Sequence, residues 1–213
     1  MEQEKEPRRL EYRMYFLVPY NISGRQSGIQ SLHGVVEYHL LYGEDVDYLD
    51  WARNWKTVMM LNGGTSNNVG SHHYMNPANN PDNEPFYGTM ELHAEALELA
   101  GIKYATFLEP DLNNMLSNIA FLCDERVFKT RKRKPDDVIY PNFEDWVLEK
   151  HSDIVEGIAQ VEPVMTTSQA IKYIKDSDSS KLKLIYNEWV DFIGGEKNVF
   201  IRVFVSQFRL AEN

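Results

Sequence analysis

Three short apolar segments constrain the fold most, because each stops at a motif that no regular element continues through. Tyr12-Arg-Met-Tyr-Phe-Leu-Val18 ends at Pro19-Tyr20-Asn21, Lys56-Thr-Val-Met-Met-Leu61 at Asn62-Gly63-Gly64-Thr65, and Lys103-Tyr-Ala-Thr-Phe-Leu108 at Glu109-Pro110-Asp111. Runs of this length, rich in aromatic and aliphatic side chains and bounded by turn residues, read as buried strands. A fourth strand is predicted over 115–123, around Asn118-Ile-Ala-Phe-Leu-Cys123.

Helical signals lie between them. From Ser27, the residues Ile29, Leu32, Val36 and Leu40 repeat at i, i+3, i+7 and i+11, with Val35 widening the stripe. This spacing predicts a helix ending near Gly43 whose apolar stripe faces the core. A short second helix is expected over Asp47–Trp55. Thr89 is the predicted cap of a helix from Met90 to Ala100, stopped by Gly101. Residues 70–88, rich in proline and asparagine, read as a long loop. Residues 12–128 therefore read as an α/β core with a small mixed sheet sandwiched by helices.

Residues 1–11 read as a charged mobile arm, and 129–213 as an α+β extension packed on the core. In the extension, helices are predicted after Asn142, after Thr167 or Ser168, and from Ser180 to Gly194-Gly195. The alternation of Val199, Ile201, Val203 and Val205 predicts a final strand reaching Leu210.

Composition limits the class. Apolar residues make up 43% and charged residues 25% of 213, enough for a real core and against global disorder. The single cysteine, Cys123, excludes an intrachain disulfide framework and a Cys-based zinc cluster, and a reducing, cytoplasmic compartment is expected. No apolar run approaches the ~20 residues of a membrane span, and Met1 to Arg9 lacks an apolar signal core. The net charge is −10 although five basic residues cluster in Lys129–Lys134, so bulk nucleic-acid binding is not expected and no membrane partner is implied.

If the first three strands are parallel, their loops share one edge of the sheet, where open α/β folds bind ligands. The helix after the first strand would bring unpartnered N–H groups and a positive dipole end. Asn21, Arg25 and Gln26 lie at that end. Gln30, His33 and Glu37 share the polar face. Asn62, Gly63, Gly64 and Thr65 could form a dipolar cradle, which is not a P-loop because no Gly-Lys-Ser/Thr follows. Asp111 could orient a histidine or a water, and Asn113 lies beside it. His72-His73 lacks the spacing and partners of a metal site, so neither a metal nor a cofactor is expected.

The segment Arg25-Gln-Ser-Gly-Ile-Gln-Ser-Leu-His-Gly34 resembles the signature of the type II peptidyl-tRNA hydrolases, a Gly-Lys-x-Ala-Ala-Gln-x-x-His-Ala stretch opening the first helix. Gln30 and His33 match its glutamine and histidine, and Asp111 falls near the family's catalytic aspartate. The order of elements over about 12–128 also agrees. The resemblance implies that family's fold, a tRNA-like ligand, and a catalytic pair His33 and Asp111. The family's glycine and catalytic lysine are here Arg25 and Gln26, and its Ala-Gly-Arg-Thr is Leu112-Asn113-Asn114-Met115. The helix and Leu61-Asn-Gly-Gly-Thr65 further resemble motifs of uncharacterised phage proteins, which implies a viral role in the host cytoplasm.

Two functions compete. One is a non-catalytic binder of a phosphorylated small molecule, nucleotide or tRNA-like ligand, as in a viral protein that sequesters a nucleotide signal, using Asn21, Arg25, Gln26, Gln30, Asn62, Gly63, Gly64, Thr65 and Asn113. The other is a hydrolase of peptidyl-tRNA-like or nucleotide esters, with His33 as acid/base and Asp111 orienting it. The missing lysine favours binding. A third reading is an interaction protein presenting Trp146, Trp189, Phe200 and Phe204, for which core packing is the simpler role. A homo-oligomer is compatible with all three.

Overall fold

The computed structural model describes residues 9–66, 88–112, 114–128, 138–150 and 179–211. Asn113, His72-His73, most of the 70–88 loop, the Lys129–Lys134 run and the predicted helix after Thr167 lie outside them. Two compact units divide the chain: Met1–Asp124 with Phe208–Asn213, and Glu125–Gln207. Six α-helices and one mixed sheet are present among the described residues, so the chain is mixed α/β. None of these helices is long and apolar enough to cross a membrane.

The first unit holds strands β1 (Tyr12–Pro19), β2 (Thr57–Gly64), β3 (Tyr104–Glu109) and β4 (Met115–Asp124), in the order β2-β1-β4-β3. β1 runs parallel to β2, and β4 runs antiparallel to both β1 and β3. β1, β2 and β3 therefore point the same way, as the shared-edge prediction requires. The two inner strands are buried along most of their length, which explains their continuous apolar runs.

Helix α1 (Gly24–Tyr42) covers one face, where Tyr38 packs with Met14, Phe16, Ala105 and Ala120. Helix α2 (Val46–Asp50) and a π-helical turn, Trp51–Trp55, add Tyr48 and Trp51 to this cluster. Lys56, at φ 54°, ends the turn in the left-handed region. On the opposite side of β1 and β2, Leu17 and Gly63 approach Met90 of helix α3 (Thr89–Leu99). The predicted sandwich of helices about a small sheet is observed at this level of description.

The predicted stripe of α1 faces the wrong way. Ile29, Leu32, Val36 and Leu40 are 46%, 69%, 55% and 71% exposed, while Ser27, Gln30, Ser31, Gly34 and Tyr38 are buried. At ~100° per residue these two sets lie on opposite sides of the helix. The reason is the sheet beneath, where β4 offers Ser117, Asn118 and Ala120 rather than a broad apolar face. Small and polar residues on α1 meet them, and the serines return their hydroxyl protons to the preceding turn, Ser31 Oγ to Ser27 O at 2.8 Å and Ser27 Oγ to Ser23 O at 3.1 Å.

The second unit contains α4 (Phe143–Lys150), α5 (Ser180–Phe192) and α6 (Glu196–Ser206). Phe143, Val147, Ile185, Tyr186, Trp189, Ile193 and Val199 form its core. The buried Arg202 guanidinium donates to the carbonyls of Tyr140 and Pro141, fastening the segment before α4. Residues 196–206 are thus a helix and not the predicted final strand. No strand among the described residues of this unit could pair with one, whereas a helix satisfies its own backbone. Phe200 and Phe204, four apart, stack at 5.4 Å. Trp189 and Phe204 are core residues. The strand signal survives only at Leu210, which forms a single bridge with Leu61 in the first unit.

Candidate functional site

Two β-bulges lie at the edge where β1, β2 and β3 end. Val18 pairs with Asn62 but Pro19 with Gly64, leaving Gly63 extra, and Phe107 pairs with Asn118 but Leu108 with Leu116, leaving Ser117 extra. A bulge bends its strand and re-aims side chains. The second turns Ser117 as well as Asn118 toward α1, which is why the hydroxyl of Ser117 reaches Gln30.

Between the ends of β1 and β2 and the start of α1 lies a cleft of about 170 Å³, lined by residues that include Tyr20, Gly24, Ser27, Met60, Asn62 and Ala211. Ligand pockets for whole drug-sized molecules run ~300–1,000 Å³, so this cleft suits one end group of a larger molecule. Tyr20 is 57% exposed at its rim. Its backbone N–H donates to Gly64 O at 2.9 Å, which closes the β1–β2 end of the cleft. On the far side of β2 the chain's return adds a wall: Asn62 N donates to Arg209 O at 3.0 Å and Ala211 N to Met60 O at 3.0 Å.

The start of α1 is capped by sequence-local chemistry. Ser23 Oγ accepts from Gln26 N at 3.3 Å, and Gln26 Oε1 accepts from Ser23 N at 3.1 Å, a capping box. Gln26 is therefore occupied in holding the helix start. The N–H groups of Gly24 and Arg25 take no partner among the described residues, and Gly24 lines the cleft. Asn21 and Arg25 are exposed nearby and outside the lining.

The other predicted residues fall into two further places. Gln30, 7% exposed, donates through Nε2 to Glu109 Oε2 at 2.6 Å, and its Oε1 accepts from Ser117 Oγ at 2.7 Å. Its amide thus donates and accepts in a buried bridge from α1 to β3 and β4. His33 is exposed and stacks on Phe107 at 4.4 Å. Asp111 is exposed in a 3₁₀ turn, Pro110–Leu112. No hydrogen bond or ion pair joins His33 to Asp111.

The glycine-rich end of β2 is closed by the protein itself. Thr89 Oγ1 donates to Gly63 O at 2.9 Å and accepts from Thr65 N at 2.8 Å, and Thr89 N donates to Thr65 Oγ1 at 3.1 Å. Gly64 N donates to Asn62 Oδ1 at 2.9 Å. Gly63, Gly64 and Thr65 thus clasp the start of α3, and the cradle's N–H groups at 64 and 65 are used internally. Of the predicted residues, the structure brings Asn62 to the cleft, gives Gln30 to a separate bridge, and leaves His33 and Asp111 on the surface.

Sequence reasoning missed Tyr20, Ser27, Glu109 and Ser117. An aromatic directly after a strand-ending proline was a usable signal for Tyr20, and Glu109 closes its strand just before Pro110. Ser117 had none, because only the bulge turns it to α1. No group of His, Cys, Asp and Glu able to hold a metal ion occurs among the described residues. No protein-family model, curated protein or solved structure matches this chain.

Proposed function

We propose that the chain is a binder, and that the cleft at the start of α1 takes the phosphate end of a nucleotide or tRNA-like ligand while Tyr20 stacks on its base. The resemblance of Arg25–Gly34 to the type II peptidyl-tRNA hydrolases and the phage-protein motifs suggest this ligand class. The observation that carries it is the meeting of three features at one strand edge: a small polar cleft, an unpartnered first-turn N–H at Gly24, and an exposed aromatic at the rim. Helix starts favour anions through their N–H groups and dipole. Binding is favoured over hydrolysis because His33 has no orienting carboxylate among the described residues and the Gln30 amide is committed to Ser117 and Glu109.

Calorimetry with nucleoside mono- and triphosphates and with inorganic phosphate tests this, followed by chromatography of the recovered ligand. Gly24→Asp puts a negative charge in the first helical turn, where it stabilises the helix but repels the anion. It should weaken nucleotide binding at least about tenfold without lowering Tm, a loss of ~1.4 kcal/mol. Tyr20→Ala should weaken nucleotides by about 1–3 kcal/mol, the usual worth of a base stack, and leave phosphate unaffected. Absence of binding by every member of the panel, or recovery of a cleaved ligand, rejects the proposal.

A further inference from the structure

Helix α1 buries Tyr38 against the sheet but carries four large aliphatic side chains on the side away from it, and this face has the form of a self-complementary seam. Ile29, Leu32, Val36 and Leu40 are all exposed on it. Their spacing of three, four and four residues is an 11-residue repeat, which keeps all four on one side of the helix where a second helix can pack. Exposed apolar patches of this kind mark interaction sites.

The charges at the two ends decide the occupant. Arg25 lies at the start of the stripe, and Glu44 lies just past its end. Both are exposed and have no ion-pair partner among the described residues. Around the C-terminal end of α1, a broad open depression of about 710 Å³ is lined by His39, Leu40, Leu41 and Glu44, among others. If two copies of α1 lie antiparallel with Ile29 level with the partner's Leu40, Leu32 falls within one residue, about 1.5 Å, of the partner's Val36. Arg25 then meets the partner's Glu44 over that depression. The same register satisfies the apolar pairs and the charge pair, twice over by symmetry.

We propose that the outer face of α1 binds a second copy of this chain in an antiparallel, two-fold arrangement. A parallel pair would instead set Arg25 against Arg25 and Glu44 against Glu44. The area sets the strength. A 19-residue helix is about 28 Å long and about 10 Å across, so its outer half offers roughly 450 Å². That falls short of the ~800 Å² per partner of a stable interface. The dimer is therefore reversible and depends on concentration. It does not rest on the ligand-binding proposal, since neither Arg25 nor the apolar stripe lines the cleft.

Sedimentation equilibrium of the full chain, from micromolar to millimolar concentration, should show a monomer–dimer equilibrium. Leu32→Lys should weaken association at least about tenfold with an unchanged far-UV spectrum. Arg25→Glu and Glu44→Arg should each weaken it, and the double variant should restore it, a coupling that a merely local effect on folding does not give. Orientation is read by cross-linking, because the native Cys123 is buried. Ile29→Cys mixed with Leu40→Cys should cross-link, whereas Ile29→Cys alone should not. A chain that stays monomeric at all concentrations overturns the proposal, whether the thiol introduced by Ile29→Cys is reactive or is shielded by another segment of the same chain. A dimer indifferent to Leu32→Lys, or one that cross-links Ile29→Cys to itself, overturns it as well.

Discussion

Gly34 shows how one residue fixes the distance between a helix and a sheet. It lies in the middle of α1, where glycine is less favourable than alanine by ~1 kcal/mol. A Cβ there would stand 2.0 Å from Asn118 Oδ1 and 2.8 Å from its Cγ. Asn118 is fully buried, and neither its Oδ1 nor its Nδ2 has a hydrogen-bond partner among the described residues. Gly34→Ala should destabilise the protein by about 1–3 kcal/mol through overpacking, despite its better helix propensity. Adding Asn118→Ala should recover most of the loss, since it removes both the clash and a buried amide without partners. Urea unfolding measures both, and a Gly34→Ala protein as stable as the parent would show that α1 shifts without cost. Gln30 illustrates the same scale, because a residue that matches a catalytic signature is here a buried tie between elements.

At the scale of elements, the start of α3 is held by the glycine-rich end of β2. Gly64 has φ +87°, and a Cβ there would lie 2.2 Å from Thr89 Oγ1, so only glycine suits the position. Thr89→Val should cost about 1–3 kcal/mol, because it leaves Gly63 O and Thr65 N without their partner. Thr89→Ser keeps the hydroxyl and should stay within about 0.5 kcal/mol of the parent. Thermal unfolding of the two variants side by side checks this clasp, and equal losses would refute it. The capping of α1 and the α2 start follow the same local logic. Asp45 caps α2 through Asp47 N at 2.9 Å and also pairs with Lys103.

For the whole molecule, pH dependence follows from two groups in the first unit. Burial lowers the His93 imidazole below its ordinary value; its ring meets the edge of Phe208 at 4.8 Å. Burial pushes the Asp45 carboxyl up, but the Lys103 hydrogen bond and the Asp47 and Tyr48 amides outweigh it and leave it below the ordinary carboxylate range. In both cases the unfolded chain binds more protons as pH falls, so stability falls with it. The His93 contribution is present above about 6.5 and is lost as pH drops through its lower folded value. That of Asp45 is present above about 3.9 and is lost in stronger acid. Tm against pH should decline in two stages, and His93→Phe should remove the first. A profile flat between pH 7 and 5 in the parent would contradict this.

The element order of the first unit was decided by neighbours close in the chain, so periodicity and turn chemistry revealed it; the caps Ser23, Asp45 and Ser179 lie up to a few residues before the starts read from the sequence, and the common direction of β1, β2 and β3, only a condition in the sequence, was set by strand pairing. The sequence also marked the edge at which a cleft forms. Which face of α1 turns inward was not legible, because it depends on Ser117, Asn118 and Ala120 some ninety residues away rather than on the helix's own stripe. The same holds for 196–206, where alternation suited a strand but no partner strand was there to receive it. The separation of Gln30, Asn62 and Asp111 into a buried bridge, a cleft wall and an exposed turn depended on long-range packing, Gln30 being held by Ser117, which only a bulge turns toward α1. Local patterns set which elements form, and long-range packing set which side chains meet.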